Sequence, residues 1–246
     1  MIRKQLQQGI RFAALCGCFA VLYSGTAFGA PKGPGIKNGN YVAVAGGNST
    51  IYMSVNSGDV LKEVKAGESY QVREDEGDGW MEIQVGDQVG YISTENGFSV
   101  LSLGEYEASQ EAAKAQQAAG QQASEERRKT LVNFALQFIG CSYRAAGSSP
   151  ATGFDCSGFI QYVMQNGIGV SMNRSSTTQA SQGVAISADL MRPGDLLFYG
   201  SGSHINHVAM YIGDGQVVHA STYKTGVKVS PWNYRAPIRV VNVLGD

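Results

Sequence analysis

Residues 153–159 read GFDCSGF and place Cys156 at the start of a stretch in which apolar residues recur at helical spacing. The free N–H groups and the positive end of the dipole at a helix N-terminus favour the thiolate form of a cysteine. The small residues Ser157 and Gly158 leave room for a substrate and for backbone N–H donors to a developing oxyanion. The stretch therefore predicts a nucleophilic cysteine, and the alternative for a lone cysteine is a small buried apolar residue.

The second informative stretch is a predicted hairpin around the turn Gly213-Asp214-Gly215. With a two-residue loop, His219 would pair opposite Met210 and lie on the face away from His207. With a three-residue loop, His219 lies opposite Ala209, diagonal to His207 on one face. We expect the three-residue loop, because diagonal neighbours lie roughly 7–8 Å apart and two imidazole rings can meet over that distance.

Histidine is the side chain best suited to activate a thiol near neutral pH, and the chain has only three histidines, all near its C-terminus. In the expected hairpin, His207 is the base, and His219 orients it and fixes its tautomer. The alternative for His219 is a hydrogen-bonded core histidine without a catalytic role.

The segments around these residues alternate between helical and extended patterns. Apolar residues recur at helical spacing from Leu131 to Ile139, Gly140 ends that run, and a second helix is predicted over residues 156–166. Strand patterns follow at four places: residues 195–199, 207–212, 216–221 and 239–243. Helices first and an antiparallel sheet afterwards predict an α+β domain over residues 129–246.

The first half of the chain has a different pattern. Residues 41–104 contain short alternating apolar runs separated by turn signals, which predicts a small all-β barrel or sandwich. Residues 105–128 are rich in Ala, Gln, Glu and Lys without an apolar stripe, so we expect a solvated helical or flexible linker. A lead segment of residues 30–40, rich in Gly, Pro and Asn, precedes the β unit.

The first 29 residues are organised like a secretory signal peptide. Basic residues without any acidic residue precede an apolar run over residues 12–23, which is too short to span a bilayer, and small residues follow. We expect cleavage before Ala30 and an exported protein, located in the periplasm, in the cell envelope or outside the cell. The alternative is lipid attachment at Cys18.

Composition excludes several classes of protein. The 246 residues carry 19 basic and 20 acidic side chains, and a net charge of -1 provides no field that would hold a nucleic acid. Beyond the signal only Cys141 and Cys156 remain, too few for a disulfide scaffold, and no ligand spacing suggests zinc or an iron–sulfur cluster. We therefore expect no metal and no cofactor.

A disulfide between the two cysteines would block the nucleophile, and we expect Cys141 to be unpaired.

Five runs, in order, resemble the NlpC-type, papain-like cell-wall cysteine peptidases over about residues 130–246. They are residues 140–143 (GCSY), 153–159, 173–179 (NRSSTTQ), 193–198 (PGDLLF) and the hairpin of residues 207–219. The resemblance implies an endopeptidase that hydrolyses the γ-D-glutamyl–diamino acid bond of peptidoglycan stem peptides through an acyl-enzyme. It implies Cys156 as the nucleophile, His207 as the base and His219 as the third polar residue.

The same resemblance implies a set of substrate contacts. Tyr143 matches the tyrosine that the family carries near the nucleophile. Asp155, Ser157, Arg174 and Ser175 match positions that line the family's substrate groove.

Residues 41–104 resemble a bacterial SH3-like domain. Residues 66–68 (AGE), 79–83 (GWMEI) and 90–92 (GYI) match its later strands, whereas the early signature is poor. The resemblance implies a wall-binding module, and in some relatives such a domain forms one wall of the active-site groove.

Two other functions are compatible with these features. One is a wall-binding or scaffold protein whose peptidase domain has lost its activity, although the intact set of Cys156, His207 and His219 argues against such a loss. The other keeps the thiol chemistry on a different bond, as an amidase or a transpeptidase, and pocket shape separates these from a peptidase. The expected partner is peptidoglycan or a muropeptide. We expect a monomer, no nucleic acid and no membrane span after removal of the signal.

Overall fold

The computed structural model describes Ile36 and residues 39–246. The predicted signal of residues 1–29 and most of the lead of residues 30–40 lie outside the described residues. The described residues divide into two compact units, one that extends up to residue 117 and one over residues 118–246. Within the described part of the chain, no helix combines the length and the apolar character needed to cross a membrane.

The first unit contains one antiparallel sheet of seven short strands, in the order β3-β2-β6-β5-β4-β1-β7. The strands are β1 (Tyr41–Ala45), β2 (Ser49–Tyr52), β3 (Val60–Val64), β4 (Ser69–Gly77), β5 (Trp80–Val85), β6 (Gln88–Ser93) and β7 (Phe98–Ser102). Alternate residues such as Ile51, Val72 and Ile83 are fully buried and form its core. This all-β unit covers the predicted range of residues 41–104, and its likeness to an SH3-like domain stays a prediction.

A single helix, α1 (Leu103–Leu136), contains the whole of the predicted linker of residues 105–128. Its start is fixed by a reciprocal capping box, in which Ser102 N–H donates to Glu105 Oε2 over 2.9 Å and Glu105 N–H donates to Ser102 Oγ over 3.3 Å. The middle of the helix is almost entirely exposed, as strong helix formers without an apolar stripe predict. The linker is therefore helical.

The helix predicted over residues 131–139 is the last part of α1, and it ends three residues earlier than predicted. After Leu136, the N–H groups of residues 137–139 donate to carbonyls three residues back, which is a tighter turn than an α-helix. Gly140 then takes a φ of +88° and turns the chain. Ile139 is 51% exposed, so it does not belong to the apolar face of the helix.

The second unit combines two short helices with a six-stranded sheet in the order β10-β15-β11-β12-β13-β14, in which every pairing is antiparallel. Its elements are β8 (Ser148–Ser149), β9 (Gly153–Phe154), α2 (Cys156–Ile168), α3 (Ser176–Gln179), β10 (Val184–Ile186), β11 (Leu196–Ser201), β12 (His204–Gly213), β13 (Gln216–Thr222), β14 (Gly226–Pro231) and β15 (Pro237–Asn242). The four predicted strands correspond to β11, β12, β13 and β15. Strands β10 and β14 were not predicted.

The core of the second unit lies between α2 and the sheet. Phe159, Ile160 and Val163 of α2 are fully buried in one cluster with Phe198 and Val208 of the sheet. This arrangement confirms the α+β prediction and extends the predicted second helix by two residues.

The turn between β12 and β13 differs from the prediction in its length. Gly213 pairs with Gln216, so the loop has two residues, Asp214 and Gly215, both with positive φ as a tight hairpin requires. The predicted three-residue loop was therefore wrong. A bulge between Tyr211 and Gly213 nevertheless shifts the register by one residue.

Beyond this bulge, Met210 pairs with Val218, the register in which His219 lies opposite Ala209. The predicted placement of His219 relative to His207 is thus correct, but it is produced by the bulge rather than by the loop.

Within the second unit, a buried ion pair joins the C-terminal part of α1 to the rest of the unit. Arg128 is 3% exposed and donates to Asp195 Oδ1 over 2.9 Å, to the Pro193 carbonyl over 2.7 Å and to Asp246 Oδ2 over 3.1 Å. Asp195 is 1% exposed in its side chain and also accepts the backbone N–H of Arg192 over 2.8 Å. Each charge in this cluster is paired and hydrogen-bonded, as burial requires.

Candidate active site

Cys156 is the first residue of α2, directly after the N-cap residue Asp155. Asp155 Oδ1 accepts the N–H of Gly158 over 2.7 Å, which leaves the first N–H groups of the helix free to face the thiol. The Cys156 sulfur is within reach of the backbone N–H of Val208, the residue after His207. The helix and strand β12 therefore bring the predicted nucleophile beside the predicted base.

The thiol lies in a largely desolvated position. Burial raises the pKa of Cys156 above its usual value, and the negative charge of Asp155 acts in the same direction. Hydrogen bonds from backbone N–H groups, that of Val208 first, partly oppose this rise in pKa. The resting thiol is therefore protonated, and a base is needed to remove its proton.

Two imidazole rings and a hydroxyl form a chain beside the thiol. His207 Nε2 lies 2.7 Å from His219 Nδ1, and His219 Nε2 lies 3.0 Å from Ser230 Oγ. The two rings cross at 76° with centroids 5.0 Å apart. His219 is 1% exposed and Ser230 is 8% exposed, so the far end of the chain is sealed from solvent.

Burial lowers the pKa of both histidines. The pKa of His207 falls to about 4, with the charge of Arg235 as a second cause. The pKa of His219 falls to about 3, since the charges of His207 and Lys228 add to the effect of burial. Both rings are therefore neutral near pH 7, and a neutral ring is the form that can accept a proton.

The hydrogen bonds define which nitrogen can act. Because His207 Nε2 faces His219, Nδ1 is the nitrogen of His207 left for the thiol. For Nδ1 to accept a proton, His207 Nε2 must carry hydrogen and donate it to His219 Nδ1. The arrangement can then act as a general base with an oriented second imidazole.

A charged cluster lies at the same end of α2. Arg174 donates to both oxygens of Asp155, over 2.9 Å to Oδ1 and 2.7 Å to Oδ2, and also to Ser157 Oγ over 3.0 Å. The Arg174 side chain is 41% exposed and that of Asp155 is 15% exposed. The structure thus brings three of the five predicted substrate contacts into one hydrogen-bonded group.

The other two predicted contacts are placed differently. Tyr143 is half-buried, and the centroid of its ring lies 4.9 Å from that of the exposed Tyr223 in an edge-on contact. Burial raises the pKa of Tyr143, and the charge of Cys156 is the second cause of this rise. Ser175 caps the short helix α3, where its hydroxyl accepts the N–H of Thr178 over 3.2 Å. Tyr143 therefore lies near the thiol, whereas the Ser175 hydroxyl is used within the fold.

Two residues of the site were missed by sequence reasoning. They are Ser230 and Tyr234. The ring of Tyr234 lies 5.2 Å from that of His219. Burial raises the pKa of Tyr234 to about 12, and the charge of Cys156 acts in the same direction. The signal that could have found Ser230 is the register of β14, in which Lys228 pairs with His219 and Ser230 lies diagonal to that histidine.

Cys141 and Cys156 are both free thiols. Among the residues that the structure describes, no group of His, Cys, Asp and Glu side chains is placed to hold a metal ion.

The family comparison decides the identity of the second unit. Residues 140–241 match the model of the NlpC/P60 family. These residues form an NlpC/P60 domain. The α+β fold predicted for this part of the chain, with an antiparallel sheet and few helices, is the fold that the structure shows.

Proteins similar to the NlpC/P60 domain include several hydrolases. A γ-D-glutamyl-L-lysine dipeptidyl-peptidase of Bacillus cereus is 39% identical over 107 residues, which are 42% of this chain and 31% of that protein. A γ-DL-glutamyl hydrolase of Bacillus subtilis is 39% identical over 104 residues, 42% of this chain and 24% of that protein. The murein DD-endopeptidase MepS/murein LD-carboxypeptidase of Escherichia coli is 42% identical over 94 residues, 38% of this chain and 49% of that protein. The chain spans less than half the length of each of these relatives.

Among solved structures, the NlpC/p60 domain of the peptidoglycan hydrolase SagA is 37% identical to this chain. The match has a TM-score of 0.44 and covers 47% of this chain and 97% of that one.

Proposed function

We propose that this protein is an exported cysteine endopeptidase that hydrolyses the γ-D-glutamyl–diamino acid amide of peptidoglycan stem peptides. The observation that carries the proposal is the placement of Cys156 at the N-terminus of α2, within reach of the backbone N–H of Val208 next to His207, together with the 2.7 Å contact between His207 Nε2 and His219 Nδ1. The γ-glutamyl specificity named for relatives from two Bacillus species supports the choice of bond.

The reaction begins when His207 Nδ1 takes the proton of the Cys156 thiol and the sulfur attacks the amide carbonyl carbon. Backbone N–H groups in the first turn of α2 stabilise the negative charge that develops on the carbonyl oxygen. The C–N bond then breaks, the leaving amine takes the proton from His207, and an acyl-enzyme remains. Water attacks the acyl carbon, gives a proton to His207 and releases the thiol with its proton restored.

Substrate recognition is assigned to the charged cluster around Asp155 and Arg174. A stem peptide carries free carboxylates and ammonium groups, and a paired carboxylate and guanidinium offer a partner for each. The side chain of Arg174 is exposed enough to be reached from solvent. Ser157 and Tyr143, which lie near the same end of α2, are assigned to the groove wall, and Ser175 supports it through its cap on α3.

The first unit is assigned to attachment at the cell wall. Its resemblance to bacterial SH3-like domains and the signal-like pattern of residues 1–29 support a protein that is exported and held at its substrate.

The test is hydrolysis of defined muropeptides by the purified protein, with the products weighed by mass spectrometry. We expect cleavage after the D-glutamyl residue by the wild type and by Cys141→Ala, and none by Cys156→Ala. Cys141 is the matched control because it is the other free, half-buried thiol of the same domain. Cleavage at a different bond would replace the proposed specificity with that of an amidase or another peptidase. Retention on intact wall without any cleavage would indicate a binding protein.

A further inference from the structure

Ser230 closes the buried end of the imidazole chain. Its Oγ lies 3.0 Å from His219 Nε2, and the other nitrogen of that ring lies 2.7 Å from His207 Nε2. Strand β14 holds Ser230 through its pairing with Val217 of β13, which is two residues before His219. Each nitrogen of His219 therefore has one partner, and Ser230 is the partner farthest from the thiol.

We propose that Ser230 is a positioning residue for the catalytic base, an inference that rests on the proposed function of Cys156 and His207. Its hydroxyl oxygen accepts the N–H of His219 Nε2, which leaves His219 Nδ1 without hydrogen and aimed at His207. His207 Nε2 then donates to His219 Nδ1, and His207 Nδ1 is free to take the thiol proton. Ser230 acts through His219 and does not touch the reacting atoms.

The direction of these hydrogen bonds is what matters for catalysis. If the chain ran the other way, Ser230 would donate to His219 Nε2, and His219 Nδ1 would donate to His207 Nε2. His207 would then carry its hydrogen on Nδ1 and could not act as a base toward the thiol. In the productive direction Ser230 is the acceptor, and this role becomes more important when His207 is protonated, because the positive charge strengthens each bond along the chain.

Removal of the hydroxyl leaves a polar ring atom without a partner in a buried site. His219 is 1% exposed, so water does not replace the lost acceptor without a rearrangement. The ring of His219 is then free to change its tautomer or its orientation. The expected result is a base that is present but poorly aligned, which lowers kcat more than it changes KM.

Three substitutions at position 230 distinguish a positioning role of the hydroxyl from a role in which the side chain only fills space. Ser230→Ala removes the acceptor, Ser230→Cys keeps nearly the same shape but offers only a weak acceptor, and Ser230→Thr keeps the hydroxyl. Ser187→Ala is the matched control, because the hydroxyl of that serine donates to the exposed carboxylate of Asp189 and not to either histidine. Circular dichroism and melting temperature establish that each full-length variant is folded.

The first readout needs no substrate. In protein labelled with ¹⁵N-histidine, the ring nitrogens of His207 and His219 report the tautomer of each ring. The pH profile of iodoacetamide alkylation, read by mass spectrometry on the tryptic peptide that begins after Arg144, reports the thiol of Cys156 separately from that of Cys141. We expect Ser230→Ala and Ser230→Cys to alter the ¹⁵N pattern of His219 and the alkylation profile, and Ser230→Thr and Ser187→Ala to keep both.

The second readout is hydrolysis of muropeptides. We expect kcat to fall about tenfold in Ser230→Ala with KM little changed, and Ser230→Thr to recover most of the loss. Wild-type tautomers, alkylation profile and kcat in folded Ser230→Ala would overturn the proposal, as would equal losses in Ser230→Ala and folded Ser230→Thr. If no muropeptide is cleaved by the wild type while the tautomers and alkylation change as expected, the proposed substrate fails and the positioning role stands.

Discussion

His207 Nε2 and His219 Nδ1 lie 2.7 Å apart because a bulge after Tyr211 shifts one strand of their hairpin by one residue. Successive residues of a strand point to opposite faces, so a shift of one residue moves a side chain from one face to the other. Without the bulge, the two-residue turn at Asp214-Gly215 would place His219 opposite Met210. The contact between the two imidazoles thus depends on backbone geometry seven residues away from His219.

Replacement of His219 tests the value of this contact. His219→Ala removes the acceptor for His207 Nε2, and we expect kcat/KM for the cleaved muropeptide to fall about 10²-fold. His219→Asn keeps an acceptor oxygen and is expected to retain more activity than the alanine variant. The control is His204→Asn, which changes an exposed histidine at the start of β12, the strand that carries His207. Wild-type kinetics in His219→Ala would show that the second imidazole has no catalytic value.

The two buried histidines also predict how stability depends on pH. Their folded pKa values of about 4 and about 3 lie below the usual value of 6.5, so the unfolded chain binds more protons in this range. Their contribution is complete above about pH 6.5 and is lost as the pH falls, by at most about 1.4 kcal/mol per pH unit for each ring. Urea midpoints between pH 7 and pH 4.5 should fall more steeply for the wild type than for His219→Asn. Parallel curves would contradict the expected role of His219.

Gly158 should not accept even the smallest side chain. A Cβ at this position would lie 2.1 Å from the carbonyl oxygen of Gly147, which is a backbone atom that cannot move aside. We expect Gly158→Ala to lower the free energy of unfolding by about 3 kcal/mol or more and to displace the first turn of α2. Gly120→Ala is the control, since a Cβ there meets nothing within 4 Å, and it should stabilise α1 by about 1 kcal/mol. Equal thermal stability of the two variants would rule out this account of the backbone contact.

The ion pair between Arg128 and Asp195 predicts a non-additive pair of substitutions. Arg128→Met leaves the buried carboxylate of Asp195 without its ion-pair partner, and we expect a loss of about 3–5 kcal/mol. The double variant Arg128→Met/Asp195→Leu removes both charges and should lose less than the sum of the single changes. The neighbouring Arg127 is exposed, and Arg127→Met should stay within about 0.5 kcal/mol of the wild type. Denaturant unfolding measures all four values, and additivity would contradict the prediction.

Much of the site could be predicted because it rests on local patterns. A cysteine before a helical stretch, and two histidines around a Gly-Asp-Gly turn, are visible within a few residues of sequence. The bulge that corrects the register of the hairpin could not be predicted, because it depends on how β12 packs against β11 and β13 rather than on the turn residues. The correct expectation for His219 therefore came from an incorrect loop length.

The missed residues depend on contacts that are remote in sequence. Ser230 reaches His219 only through the pairing of β13 with β14, and β14 was not predicted as a strand. Asp155 and Arg174 were both predicted as substrate contacts, but their ion pair across 19 residues was not. Ile139 follows the helical spacing of its neighbours and yet is exposed, since α1 gives way to a tighter turn before it.

The ion pair of Arg128 also has a consequence for the order of folding. The end of α1 depends on hydrogen bonds between residues four apart, which form early, whereas Arg128 and Asp195 are 67 residues apart along the chain. Closing so long a loop costs conformational entropy, and only the contacts of the assembled sheet offset this cost. The contact is therefore expected to form after the rate-limiting step, so its loss should speed unfolding more than it slows refolding.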